Sequence, residues 1–190
     1  MLKSTNQRII RATMDLLTEK GYQKTTTKEI ATKANVSEAT IFRNFKNKRG
    51  VIAAIMKMKS TPTKTLEAEF KGDLYTDLKF LGTYFLEDLT SKKEFIYISM
   101  RDPAIYKDLT SHEKVYPQEL REMLIQYFKK MGAQHHVLKG NEDIYADIFI
   151  STYFGFFIQQ LEQDFQLVLT QKEDFIETCT HIFMRGISPA

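Results

Sequence analysis

A single cysteine, Cys179, in 190 residues leaves no partner for an internal disulfide and fits a reducing, cytoplasmic setting. Its place between Ile176 and Ile182-Phe183 in an apolar helical pattern suits a small packed side chain better than a redox sensor. No run approaches the roughly 18 apolar residues of a membrane span, and the opening MLKSTNQR has no hydrophobic stretch, so neither membrane insertion nor export is expected. Catalytic signatures are missing too: there is no phosphate-cradling glycine-rich loop, no GxSxG elbow and no HExxH. The four histidines supply no spaced ligand set, since His135 and His136 are adjacent, His112 stands beside Glu113 and His181 stands alone. Neighbouring carboxylates such as Glu67-Glu69, Glu87-Asp88 and Glu142-Asp143 read as polar helix faces rather than an acid and a base held apart. No enzyme, no metal and no cofactor is expected. Strand alternation, internal repeats and low-complexity segments are also lacking, which leaves an all-α fold.

Charge is unevenly spread. Residues 1–60 hold 13 Lys or Arg against 4 Asp or Glu, a net of +9, whereas residues 61–190 hold 14 against 20, a net of −6. Such asymmetry marks the N-terminal part as the one that meets a polyanion. Inside it lies TTTKEIATKANVSEATIFRNFKNK, residues 25–48. Thr26 followed three residues on by Glu29 is a capping box that starts a short helix burying Ile30, Ala31 and Ala34. Asn35 tolerates the left-handed backbone of a sharp turn, Ser37 caps the next helix, and Val36 packs back on Ile41 as a hydrophobic staple. On that second helix Ile41 and Phe45 share the inward face, while Ala39, Thr40 and Arg43 face out. Lys24, Lys28, Arg43, Lys46, Lys48 and Arg49 surround it. A guanidinium there suits guanine O6 and N7, and the small methyls suit a thymine. The plainer reading, a three-helix bundle without a nucleic-acid role, has the same caps and staples.

The order Ile9-Ile10, Ala12, Leu16-Leu17, Gly21-Tyr22, Thr25-Thr26, Ile30-Ala31, Ala34, Val36-Ser37, Thr40, Phe42, Phe45 and Lys46–Lys48 resembles the N-terminal domain of TetR-family transcriptional regulators. The resemblance implies that the residues matching Thr26, Ser37, Thr40, Phe42, Arg43 and Lys48 contact DNA, mostly its backbone. With the outward face and its neighbours, the expected DNA-binding set is Thr26, Thr27, Ser37, Glu38, Ala39, Thr40, Phe42, Arg43, Lys46 and Lys48. Three positions depart from the family's pattern. It usually has Gly at Ala39, Tyr at Phe42, which costs one phosphate-binding hydroxyl, and Glu or Asp near Gly50.

Ahead of the turn unit, a helix is predicted over about 6–20, ended by Gly21, and after it a fourth helix from Asn47 to about Ser60. Pro62 marks the boundary between halves. The expected organisation is a helix-turn-helix DNA-binding domain over 1–47, a connecting helix and linker over 48–62, and a larger helical ligand-binding and dimerisation domain over 63–190. Helices are predicted over about 64–89, 93–101, 117–130, 142–164 and 172–185, with loops near Asp102-Pro103 and around Gly132–Asn141.

The C-terminal half holds 20 of the 23 aromatic residues. The resemblance implies a small-molecule pocket there, and Phe80, Tyr84, Phe95, Met100, Tyr127, Tyr153 and Phe154 are the candidate lining, although filling the core is the plainer role for most of them. The last two helices are apolar over much of their circumference, which a second copy would cover. The resemblance implies a four-helix dimer interface from this pair, with Phe154, Phe157, Ile158, Leu161, Phe175, Ile182 and Phe183 as candidates, and Gly155 either allowing close approach or packing within one subunit. The expected function is a dimeric, ligand-responsive transcriptional regulator, most often a repressor in this family. It binds a palindromic double-stranded operator and is released by a small, largely apolar effector, with no membrane partner. The alternative is a helical ligand-binding or protein-interaction module whose helix-turn-helix is vestigial. The charge of the first third argues against it.

Overall fold

The computed structural model describes residues 4–58, 61–110, 116–161 and 170–189, so His112-Glu113 and the expected helical residues 162–164 lie outside it. Among the described residues the chain is helical without a strand: α1 (Thr5–Lys24), α2 (Thr27–Ala34), α3 (Glu38–Phe45), α4 (Lys48–Lys57), α5 (Thr63–Ala68), α6 (Leu74–Ser91), α7 (Lys93–Arg101), α8 (Pro103–Thr110), α9 (Tyr116–Ala133), α10 (Glu142–Leu161) and α11 (Lys172–Ile187). They gather into two compact units, Met1–Ser60 with Lys92–Tyr116, and Thr61–Ser91 with Pro117–Ala190.

In the first unit the apolar stripe of α1, carrying Ile9, Leu16 and Leu17, meets Ile30 of α2, Ile41 of α3 and Val51, Ile52 and Ile55 of α4. Phe95 of α7 and Ile105 of α8 complete this core. Phe95 and Ile105, in a segment grouped with the C-terminal half by chain order, thus belong to the same unit as α1 and α4. The expected loop at Asp102-Pro103 shrinks to one residue. Proline has no N–H to leave unpaired at the first position of a helix, and the Asp102 Oδ1 accepts the Ala104 N–H at 3.2 Å, so α8 starts at once.

In the second unit α6 packs on α10 and α11 around Leu78, Leu81, Phe128, Phe149 and Tyr153, all buried. The single helix expected over 64–89 is broken into α5 and α6. Gly72 takes φ +78, the Asp73 carboxylate accepts the Thr76 N–H at 2.8 Å, and buried Asp77 accepts N–H groups from Lys71 at 2.7 Å and Gly72 at 3.0 Å. The Tyr127 hydroxyl also donates to Asp77, at 3.1 Å, and that charge together with burial pushes its ionisation far up. Gly82 lets Tyr153 come close to α6: a Cβ there would stand 2.2 Å from the Tyr153 hydroxyl oxygen. Among the described residues no helix is long and apolar enough to cross a membrane.

Candidate nucleic-acid interface

The turn unit is built from local hydrogen bonds. The Thr26 hydroxyl accepts the Glu29 N–H at 3.3 Å while the Glu29 carboxylate accepts the Thr26 N–H at 3.0 Å, so the capping box closes in both directions. Lys20 bonds that carboxylate as well and, with Thr26, holds the Glu29 pKa down at about 2. Asn35 ends α2 in the left-handed region at φ 52. The Ser37 hydroxyl then accepts the Thr40 N–H at 3.3 Å and shares a hydrogen bond with the Thr40 hydroxyl at 2.9 Å. Across the turn, the Thr27 hydroxyl donates to Glu38 at 2.6 Å, which fixes α3 against α2. Ile41 is fully buried beneath α3, and Val36 and Phe45 pack half-buried beside it.

This anchoring leaves one face of α3 bare. Ala39, Phe42, Arg43 and Lys46 are all exposed, Phe42 at 50%. Spaced at three and four residues, they form one row along the helix. The exposed Arg43 side chain donates from its Nε to the neighbouring Asn44 side chain at 3.3 Å, which leaves the terminal guanidinium nitrogens without a hydrogen bond among the described residues. Lys24 and Lys28 are exposed on α1 and α2. The row supplies a polar fork, an apolar surface and a cation, and the exposed lysines of α1 and α2 add further charge, the equipment for a groove edge and its flanking phosphates.

The other expected contact residues are placed differently. Thr26, Thr27, Ser37, Glu38 and Thr40 line the start of α2 and α3, where their side chains make the caps and the tie between helices. Lys48 turns inward. Its ammonium donates to the Tyr22 carbonyl at 2.7 Å and the Thr25 carbonyl at 2.9 Å, and it lies 3.9 Å above the Tyr22 ring. Two contacts were not anticipated: the Asn44 side-chain amide donates to Asn6 at 2.7 Å, and Arg8 reaches the Asn35 carbonyl at 3.4 Å. Both join the turn unit to α1. Asparagine pairs 38 residues apart leave no periodic trace in a sequence.

The candidate pocket residues are divided between the units: in the second, Phe80 and Tyr127 both pack on Phe70. Phe95 lies in the core of the first unit and Met100 on its surface. The Tyr84 hydroxyl accepts the Thr61 N–H at 2.9 Å, Phe80 is half-buried, and Phe154 is exposed. Tyr153 is fully buried, and its hydroxyl and that of Thr180, one residue along from Cys179, find no well-formed hydrogen bond among the described residues. The Cys179 thiol, half-buried, is pushed up by that burial. Of the candidate dimer residues, Phe157 is buried within the subunit, Phe175 stacks on Phe156 at 3.8 Å, and Phe183 packs on Phe128 and Phe149. Ile158 and Leu161 are half-buried. Phe154 and Ile182 remain exposed, as do Ile144 and Ile148 earlier on α10.

Residues 9–55 match the profile of bacterial regulatory proteins of the tetR family. Over 187 residues the chain is 45% identical to YvkB of Bacillus subtilis (strain 168), an uncharacterized HTH-type transcriptional regulator, covering 98% of this chain and 99% of that one. Its fold is similar to that of NalD of Pseudomonas aeruginosa, the secondary repressor of the MexAB-OprM multidrug efflux pump, with a TM-score of 0.72, 20% identity and 97% of each chain covered. It is also similar to FrrA, a flavonoid-responsive regulator, with a TM-score of 0.64, 21% identity and 97% of each chain covered.

Proposed function

From the premise that the chain belongs to the tetR family of bacterial regulatory proteins and is a transcriptional regulator, we propose that it is a dimeric repressor released from a palindromic operator by a small, largely apolar effector. The observation that carries the DNA-binding part is the exposed row Ala39, Phe42, Arg43 and Lys46, on a helix capped and anchored from beneath, in the part of the chain with the positive excess. Arg43 reads a guanine, Phe42 and Ala39 meet thymine methyls, and Lys24, Lys28 and Lys46 grip phosphate. Two copies of α3 in a two-fold dimer meet half-sites roughly one helical turn apart. Arg43→Ala is expected to weaken binding to a duplex selected from a randomised pool by about 1–3 kcal/mol while leaving the fold intact. Fluorescence anisotropy on selected and scrambled duplexes checks this, and undiminished sequence preference in the variant would remove Arg43 from the readers.

Dimerisation is supported by the exposed Ile144, Ile148, Phe154 and Ile182, the last 69% exposed, on two neighbouring C-terminal helices. Gly155 lies next to Phe154, and a Cβ there would meet nothing within 4 Å in the same chain. Alanine in place of glycine within a helix gains about 0.5–1 kcal/mol for an isolated subunit. Gly155→Ala should therefore raise subunit stability yet weaken the dimer, because two α10 helices crossing there need the space. Sedimentation equilibrium separates the two effects, and a dimer as tight as wild type would place the crossing elsewhere. Effector response is supported by the buried hydroxyls of Tyr153, whose ring packs on Phe149 and Phe175, and of Thr180, neither with a well-formed hydrogen bond among the described residues, and by the likeness in fold to a flavonoid-responsive regulator. Repression follows the named role of NalD.

A further inference from the structure

Around Tyr22, contacts converge that the reading of DNA does not itself require. Gly21 interrupts α1 at φ +79, which turns the next N–H away from the helix axis, and the Tyr22 N–H donates to the Asp102 Oδ2 at 2.7 Å. A Cβ on residue 21 would lie 3.2 Å from that same oxygen. The carbonyl side of Tyr22 is engaged as well, since it accepts the Lys48 ammonium, which also takes the Thr25 carbonyl and covers the Tyr22 ring. One residue is thereby held from both sides. Lys48 opens α4 directly after α3, and Asp102 opens α8 in the segment 92–116, which is joined at both of its ends to the second unit by the chain.

We propose that Asp102, Tyr22 and Lys48 form a single positioning tie that sets α3 relative to α1, and that Lys48 acts on DNA binding through this tie and not through a phosphate. An ammonium with two carbonyl acceptors and a ring face has exchanged its hydration for fixed partners and is costly to withdraw. Asp102 makes two separable contacts: Oδ1 caps α8 through the Ala104 N–H, and Oδ2 holds Tyr22. Serine in its place keeps a helix cap but lacks the second oxygen. Asparagine keeps the reach but has one acceptor oxygen for the two N–H donors, so it can serve the cap or Tyr22 and not both.

This rests on the DNA-binding reading above, and the test separates the two. The full chain is titrated at several salt concentrations with a duplex that the wild type selects from a randomised pool and with a scrambled duplex of equal length. Asp102→Ser and Lys48→Met are each expected to lower affinity for the selected duplex about tenfold, the scale of one lost hydrogen bond to a charged group, with the salt slope unchanged. The double variant is expected to be no weaker than the poorer single one, and Asp102→Asn to recover at most part of the loss, since its one acceptor oxygen serves only one of the two N–H donors. A Lys48→Met slope smaller by about 0.9, with equal loss on both duplexes, would make Lys48 a phosphate contact and overturn the tie. So would wild-type binding by Asp102→Ser, or additive losses in the double variant. A wild type that selects no sequence at all would instead overturn the DNA-binding reading.

Discussion

Ile41→Ala is expected to cost the first unit about 2–5 kcal/mol, the range for truncating a large, fully buried aliphatic side chain. Ile41 is the buried residue of α3, and it sits where α1, α2 and α4 meet. An eight-residue helix does not hold itself in water, so α3 owes its existence to this contact and to its caps. Truncation leaves a cavity directly under the exposed row, and the row loses its common direction. Hydrogen–deuterium exchange of the amides in α2 and α3 measures the cost locally, whereas Ile41→Val should cost only about 0.5–1.5 kcal/mol. DNA affinity should fall in parallel with stability, unlike the Arg43→Ala variant, in which the two part company. A change below about 1 kcal/mol in Ile41→Ala would mean that α3 is held by something other than its core contact.

Gly50→Ala should be nearly as damaging, and with the sign opposite to helix propensity. Within a helix this exchange ordinarily gains about 0.5–1 kcal/mol. Here a Cβ would fall 1.7 Å from the Phe45 carbonyl oxygen and 2.8 Å from its carbon. Those are backbone atoms, and that carbonyl also accepts the Asn47 N–H at 2.8 Å, so it cannot swing aside as a side-chain end would. The turn between α3 and α4 must open, at a cost near or above the upper end of overpacking, about 3 kcal/mol. Lys46, at φ 67 without being glycine, shows that this turn is already tight. Gly186→Ala is the control, because a Cβ there meets nothing within 4 Å, and it should gain stability. Exchange in α3 and α4 for both variants gives the comparison. If Gly50→Ala stabilised the protein as Gly186→Ala does, the close α3–α4 approach would be refuted.

Local chemistry was what the sequence disclosed most fully. The capping box at Thr26 and Glu29, the left-handed Asn35, the Ser37 cap and the inward Ile41 all follow from residue types at fixed short spacings, and each took its expected conformation. The break between α5 and α6 was written there too, since Gly72-Asp73 combines a residue that favours positive φ with a cap, but the apolar periodicity running through it masked the signal. What could not be read was partnership across long separations. Nothing local tells that Asp102 reaches Tyr22 or that Phe95 belongs with Ile9, because only the closed core brings them together. The inward turn of Lys48 is of the same kind: its type and position suit a phosphate, and the Tyr22 and Thr25 carbonyls that engage it are set by the end of α1.

The itinerary of the chain carries a consequence for anyone dissecting the molecule. It leaves the first unit after residue 60, returns at Lys92 to contribute Phe95 and Ile105, and departs again after Tyr116. A fragment cut at the end of α4 would lack two inner walls and present a greasy opening to solvent. The DNA-reading half is consequently not a detachable bead on a string. It is stitched in by three crossings of the backbone, and an excised version would need the 92–116 hairpin grafted back before it could be trusted to behave as the parent does.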